Sequence, residues 1–291
     1  MNPLDDQEKI RPVAATQINR EALMRAFVND IYQLDSSLPH WARRRHPIVR
    51  RHLGLYWRIM PPQWEPIVKW FLIESVIVLL TVPVPFLFTV LLPMVLVSIA
   101  VLPGALVYYG RMLYDLAGDA SRQMVAEIEN HTLGLLLATP VPRREVLLAK
   151  IAGSLWKQSE PFGLLMAFTS ISQVPSMFLL YANLYSPSDF GATPQLLTVA
   201  AFAGSLLRIP LEMFMTSALG LYIGTVTRGK GAAAASTIGV VGFYFLLINV
   251  IRLIPMGPWM RLFIDAVLPC LTAIIGAVVL LWMTERELRA E

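Results

Sequence analysis

The sequence predicts an all-α protein of the membrane: a polytopic bundle of six transmembrane helices, with an amphipathic interfacial helix between the second and third. Three observations carry that prediction. From Trp70 to Gly110 the chain runs 41 residues with Glu74 as its single charge. Two more apolar tracts follow between Phe162 and Thr284. Charged residues make up 15% of the chain, against about 25% in an ordinary soluble domain, and hydrophobic ones reach 56%. A helix of ~20 apolar residues crosses the ~30 Å hydrocarbon core, where every backbone N–H and C=O needs a partner within the protein. Barrel strands would read as ~10-residue alternating segments. These tracts are instead continuous in Leu, Val and Ile.

Residues 1–65 form a basic N-terminal extension. Met1 to Ile10 is polar and no apolar run follows it, so no cleavable signal peptide is expected. Arg43, Arg44, Arg45, Arg50, Arg51 and Arg58 cluster just before the first span. Such a cluster reads as a cytoplasmic flank attracted to anionic membrane lipids, and nucleic acid is not an expected partner.

The 41-residue tract would make ~60 Å of helix, about two bilayer crossings. Pro83-Val84-Pro85 near its middle predicts a tight hairpin, because helix interiors tolerate proline badly. Span one is then Pro66 to Val82 and span two Phe86 to Tyr109. Span three covers Pro161 to Leu184, followed by a loop over Tyr185–Gln195. Span four runs from Leu196 to Val226, long enough to tilt or break at Pro210. Arg228-Gly229-Lys230-Gly231 turns the chain into span five, Ala232 to Ile254. Pro255, Gly257 and Pro258 turn it again into span six, Met260 to Met283. The transmembrane domain is 66–284, with a cytoplasmic segment at 111–158 and a tail at 285–291.

Six spans put both termini on one side. Of the 24 Lys and Arg, 21 fall on that side or at its edge: eleven up to Lys69, six between Arg111 and Lys157, Arg228 and Lys230, and two in the tail. Only Arg252 and Arg261 lie opposite, and Arg208 falls within span four. Positive residues stay cytoplasmic, so the expected location is the cytoplasmic membrane with both termini inside.

Between spans two and three, Glu127 to Lys150 reads as an amphipathic helix with acidic first turns. Leu133, Leu136 and Leu137 share one face, so the helix is expected along the membrane interface. A break follows at Thr139-Pro140-Val141-Pro142, and Thr139 and Pro140 suit the N-cap and N1 positions of a second helix. A surface helix that merely joins two spans is the other reading.

The residue pattern adds to this. Glu127-x-Glu129-x-x-Thr132-Leu133, then Leu136-Leu137-x-Thr139-Pro140, then Glu145-Val146 and Lys150, resembles the coupling segment of ABC-2 type permeases. These are membrane subunits of ATP-binding-cassette transporters. Six spans, cytoplasmic ends and the position of the motif extend the likeness over Pro66 to Glu285. Gly134 departs from the pattern, since family members often carry an acidic residue there, and the N-terminal extension exceeds the usual lead. The resemblance implies a permease that pairs with a second copy and docks a separate ATPase subunit through Glu127, Glu129, Thr132, Leu133, Thr139, Pro140, Glu145 and Lys150. The chain is not expected to hydrolyse ATP itself. Gly224 to Gly231 looks like a Walker A loop, but its last position lacks the hydroxyl that ligates Mg²⁺, and it lies at a turn between spans.

Glu74, Arg208 and Glu212 are the intramembrane charged residues, costly unless paired or facing protein or water. Arg208 and Glu212 stand at i, i+4 near the outer third of span four, fit for a structural ion pair or a substrate pathway. Glu74 and Asp265 are expected to reach water near the interfaces. All four histidines lie outside the spans, no nucleophile–base pair or His/Cys cluster is spaced for chemistry, and no enzyme activity, cofactor or metal is expected. Gly220-x-x-x-Gly224 and Ala232 to Ala235 with Gly239 and Gly242 mark close helix packing, within the chain or at a dimer seam. A second functional reading is a permease-derived structural subunit of a larger membrane complex, respiratory or photosynthetic, beside other integral membrane subunits. The long basic arm and Gly134 fit that alternative.

Overall fold

A computed structural model describes residues 35–54, 64–84, 86–227 and 229–290. The described residues are helical and include no strand. After a short 3₁₀ turn, His40–Ala42, come α1 (Pro47–Leu53), α2 (Trp64–Leu80), α3 (Leu87–Glu129), α4 (Thr132–Leu137) and α5 (Arg143–Lys157). The chain continues through α6 (Ser159–Leu184), α7 (Pro187–Phe190), α8 (Thr193–Val226), α9 (Lys230–Arg252), α10 (Pro258–Leu262), a π-helical turn (Phe263–Val267) and α11 (Leu268–Ala290).

Among the described residues, five helical stretches are long and apolar enough to cross a membrane: Pro93–Glu129, Ser159–Leu184, Thr193–Val226, Lys230–Arg252 and Pro258–Arg289. The remaining expected span corresponds to α2, whose 17 residues make ~26 Å of helix. The turn after Leu80 falls where Pro83 stops the helix, while Pro85 and Arg228 lie outside the described residues.

α8 is the central post. It packs against α3, α6, α9 and α11, which is why it is apolar or small on nearly every face. Two of its hydroxyls are satisfied within the helix: Thr198 donates to the Pro194 carbonyl at 2.7 Å and Ser217 to that of Met213 at 3.0 Å. The helix does not break at Pro210. Gly220 and Gly224 serve intrachain packing, because a Cβ at Gly224 would sit 2.8 Å from both the Met124 Cβ and the Ser121 carbonyl on α3. Gly239 and Gly242 meet nothing within 4 Å.

Three helix boundaries differ from the sequence expectations. α3 does not end at Tyr109 but runs 43 residues to Glu129. Between Gly110 and Glu129 the chain turns polar without meeting a helix breaker, and Met112, Leu113, Leu116, Ala117, Ala120 and Met124 keep one buried stripe. Glu127 and Glu129 therefore close α3 instead of opening the next helix. His131 takes a left-handed conformation, φ 55°, and turns the chain into six-residue α4. The break over 138–142 is present, but α5 has Pro142 at its N-cap, not Thr139. Val141 precedes a proline, whose ring disfavours the helical region for the residue before it, so a helix does not propagate from Pro140. Finally, the loop over 185–195 contains α7, and α8 already begins at Thr193.

The N-terminal arm returns to the body. α1 and the 3₁₀ turn pack on α5, burying Ala42, Ile48, Val49 and Leu53 against Val146, Ala149 and Ala152. Trp156 Nε1 donates to the Ala42 carbonyl at 2.8 Å, and Trp41 meets Phe214 of α8 edge-on. Arg44, expected on the lipid-facing flank, is buried: its Nε lies 2.9 Å from Asp35 and its guanidinium over Trp156. Arg58 lies outside the described residues.

Candidate functional site

Two assemblies of charge stand at different heights of the bundle. The first is where the arm, the end of α3 and α5 meet. Lys150 is fully buried, and its Nζ lies 2.5 Å from Glu127 Oε2. Burial pushes the Lys150 ammonium below its ordinary pKa, and the Glu127 carboxylate opposes that shift. His52 of α1 approaches Glu127 Oε1 at 3.7 Å. Burial pushes the His52 imidazole down to about 3, with Lys150 the next cause, so it stays neutral near pH 7. Glu145, in the first turn of α5, accepts from His40 Nδ1 at 2.7 Å and lies 3.7 Å from His46 Nε2.

The segment singled out in the sequence thus divides. Glu127, Leu133 and Lys150 are buried and hold its shape. Thr132 reaches the Glu127 carbonyl at 3.4 Å, Thr139 donates to the Leu136 carbonyl at 2.6 Å, and Glu129 pairs with Lys230 at the start of α9 at 2.6 Å. Thr139, Pro140, Arg143 and Arg144 are exposed at the tip, and Leu135 is 73% exposed. A Cβ at Gly134 would meet nothing within 4 Å. The donor atoms of His40, His46 and Glu145 lie within 4.8 Å of one another, so these three residues could hold a metal ion. No sequence spacing brings this group together, because Glu145 lies about a hundred residues beyond the two histidines.

The second assembly lies inside the bundle. Arg208 and Glu212 do pair, Nε to Oε1 at 2.5 Å, but at mid-length of α8 and not in its outer third. Glu212 is completely buried. Its carboxylate also accepts from the hydroxyls of Tyr109 on α3 and, at 2.8 Å, Tyr244 on α9. The Arg208 guanidinium lies over the Phe245 ring, 5.5 Å from its centre. Towards the α10 end, Asp265 accepts from Arg261 Nε at 2.7 Å and from the Tyr181 hydroxyl at 2.7 Å, with Arg252 Nε 3.2 Å away. Asp265 is buried, contrary to the expectation that it reaches water. The π-helical turn carries it on a bulged backbone that turns it toward Tyr181. Both groups line one cavity of about 350 Å³ between α3, α6, α8 and α9.

No known family, curated protein or solved structure matches this chain.

Glu74 is also buried rather than wet. The α2 face that carries it, with Ile67, Ser75 and Val78, is covered by its neighbours, and Glu74 Oε2 has no hydrogen-bond partner among the described residues. Sequence reasoning missed Tyr109, Tyr181 and Tyr244, the three hydroxyls that complete the carboxylates. A tyrosine within an apolar tract is the available signal, since its hydroxyl needs a partner once buried. The i, i+4 spacing of Arg261 and Asp265 was a second signal.

Proposed function

We propose that this chain is the membrane-spanning, permease-like subunit of an ABC-2 type transporter, moving a substrate with energy from a separate ATPase subunit and a second permease copy. In this reading α2 supplies a sixth span, both termini and residues 111–158 are cytoplasmic, and α4 lies at the membrane interface. The observation that carries the proposal is the Glu127–Lys150 residue pattern. Its support is the exposed tip formed by Leu135, Thr139, Pro140, Arg143 and Arg144, beyond a core stapled by Glu127 and Lys150. An apolar residue rimmed by charge is the composition expected of a docking tip.

The test is to co-express the chain with the ATPase encoded nearest to it and measure ATP hydrolysis in vesicles. Leu135→Asp with Glu129→Lys should uncouple hydrolysis from transport and leave membrane insertion intact. Wild-type coupling in that variant overturns the assignment of the tip. The orientation is tested separately with a membrane-impermeant thiol reagent. In intact cells Cys at Ser188 should label and Cys at Thr139 should not, over a background in which native Cys270 is buried. The reverse result inverts the topology and removes the coupling argument.

A specific observation favours the second reading, a permease-derived structural subunit of a larger membrane complex. The four charged coupling residues are already engaged within the chain: Lys150 and Glu127 with each other, Glu129 with Lys230, and Glu145 with His40 and His46, while the arm covers α5. Purification from the native membrane separates the readings. An ATPase and a second copy support the transporter; a single copy beside redox or pigment proteins supports the structural subunit.

A further inference from the structure

We infer that the intramembrane cavity is a binding site for an anionic amphiphile, with its headgroup between Arg208 and Arg252 and its chain along Leu106 and Leu180. The first argument is charge. Three guanidinium groups, Arg208, Arg252 and Arg261, line the cavity against two carboxylates, Glu212 and Asp265. The surplus is one positive charge in apolar surroundings, where an uncompensated ion is costly and a fixed counter-ion is the usual remedy.

The second argument is unused hydrogen-bonding capacity. Glu212 is saturated by Arg208, Tyr109 and Tyr244, and Asp265 by Arg261 and Tyr181. Arg208 spends only its Nε on Glu212, and its terminal amino groups bond to no described residue. Arg252 faces Asp265 Oδ1 through a buried Nε at 3.2 Å that makes no hydrogen bond, and donates Nη2 to the Asp265 carbonyl at 3.0 Å, so Nη1 is its free donor among the described residues; the Gln173 carbonyl oxygen, which also lines the cavity, is buried without a hydrogen bond. The guanidinium donors suit an oxygen anion, and Arg is the residue that binds one in a planar, two-point fashion.

The third argument is shape. A volume of about 350 Å³ falls in the range of small-molecule sites. The apolar part of its wall includes Leu106 and Leu180, both well exposed on the outside of the bundle. The cavity is therefore charged within and apolar at its mouth, which is the polarity of a lipid entering headgroup first. A soluble anion shares the headgroup chemistry but has no use for the mouth. The inference goes beyond the proposed function, since it needs neither an ATPase nor transport.

The experiment uses the full chain in a mild non-ionic detergent, with phosphatidylglycerol, phosphatidylcholine or inorganic phosphate as probes. Native mass spectrometry and thermal unfolding are the readouts. Phosphatidylglycerol should remain bound and raise the unfolding midpoint by about 5 °C at saturation, whereas phosphatidylcholine and phosphate should not. Arg252→Gln, which removes the surplus charge and leaves Arg261 on Asp265, should weaken phosphatidylglycerol at least tenfold. Leu106→Trp narrows the mouth without touching a charge and should have the same effect. Equal protection by inorganic phosphate, retained in Leu106→Trp, would show that a soluble anion is the ligand and overturn the proposal. Equal phosphatidylglycerol binding by wild type and Arg252→Gln would also overturn it.

Discussion

Glu212 and Glu127 are both carboxylates withdrawn from water and faced by one cation, yet they are held in different ways. Glu212 takes its cation from one turn away on its own helix and completes its shell with hydroxyls from α3 and α9. Glu127 takes its cation from α5, beyond the turn at His131 and the helix break over 138–142, and its other neighbour, His52, is a neutral base. Lipid offers no water to make up a missing bond, and both oxygens of the Glu212 carboxylate are met from within the protein. The Glu127 site lies at the end of the bundle beneath an arm, and it depends on that arm staying in place. One assembly belongs to the body; the other fastens a cover.

That contrast can be broken by mutation, and the largest effect is expected inside. Glu212→Ala strands Arg208 and two tyrosine hydroxyls, and should cost about 3–5 kcal/mol of stability measured by unfolding in lipid nanodiscs. Changing Arg208 and Glu212 together to Leu should recover much of that loss. A single mutant that stays stable while losing activity would assign the pair to a substrate pathway. At the other site Lys150→Met leaves Glu127 without its cation, at roughly 3 kcal/mol. Here the cost should appear as release of the arm, read as faster proteolysis in the N-terminal 60 or so residues with α8 still protected. Equal protection of both regions would mean that the cover is not held by this pair.

Packing should show a smaller effect. Gly224→Val forces side-chain atoms into the Ser121 carbonyl and Met124, at roughly 1–3 kcal/mol. Gly239→Ala meets open space and should be neutral or slightly stabilising, within about 1 kcal/mol. If Gly239→Ala changes oligomeric state instead, the α9 face is a dimer seam.

Acid should sharpen the comparison from the arm side. The folded-state pKa of His52 lies near 3 against an ordinary 6.5, so between these values the unfolded chain binds the extra proton. Stability from this group is then fully present above about pH 6.5 and is lost as pH falls toward 3, at up to about 1.4 kcal/mol per pH unit. The His46 shift is also downward, caused chiefly by burial, and adds in the same direction. His52→Leu should flatten this acid limb, measured as the pH dependence of arm proteolysis. An unchanged slope would exclude His52 as its source.

How much was legible follows from what each signal depends on. The apolar tracts, the turn after Leu80 and the i, i+4 pairing of Arg208 with Glu212 are local, and the sequence carries them, although the pair sits at mid-length of α8 and not in its outer third. The end of α3 was not legible, because hydropathy reports where lipid stops and only a breaker or a left-handed residue reports where a helix stops; His131 supplied the second. Asp265 was misjudged because a π turn changes which way a residue faces without leaving a sequence mark. The His40–Glu145 and Glu127–Lys150 contacts join elements distant in the chain, so their partners follow from the fold and not from spacing.

The length of α3 has a mechanical consequence. Tyr109 touches Glu212 inside the bundle and Glu127 grips Lys150 at its end, and both project from one helix with no proline or break between them. At 1.5 Å per residue the two are about 27 Å apart along a single rod. A rotation of that rod large enough to loosen one grip must turn the other through the same angle, so α3 acts as a crankshaft between the cavity and the cover.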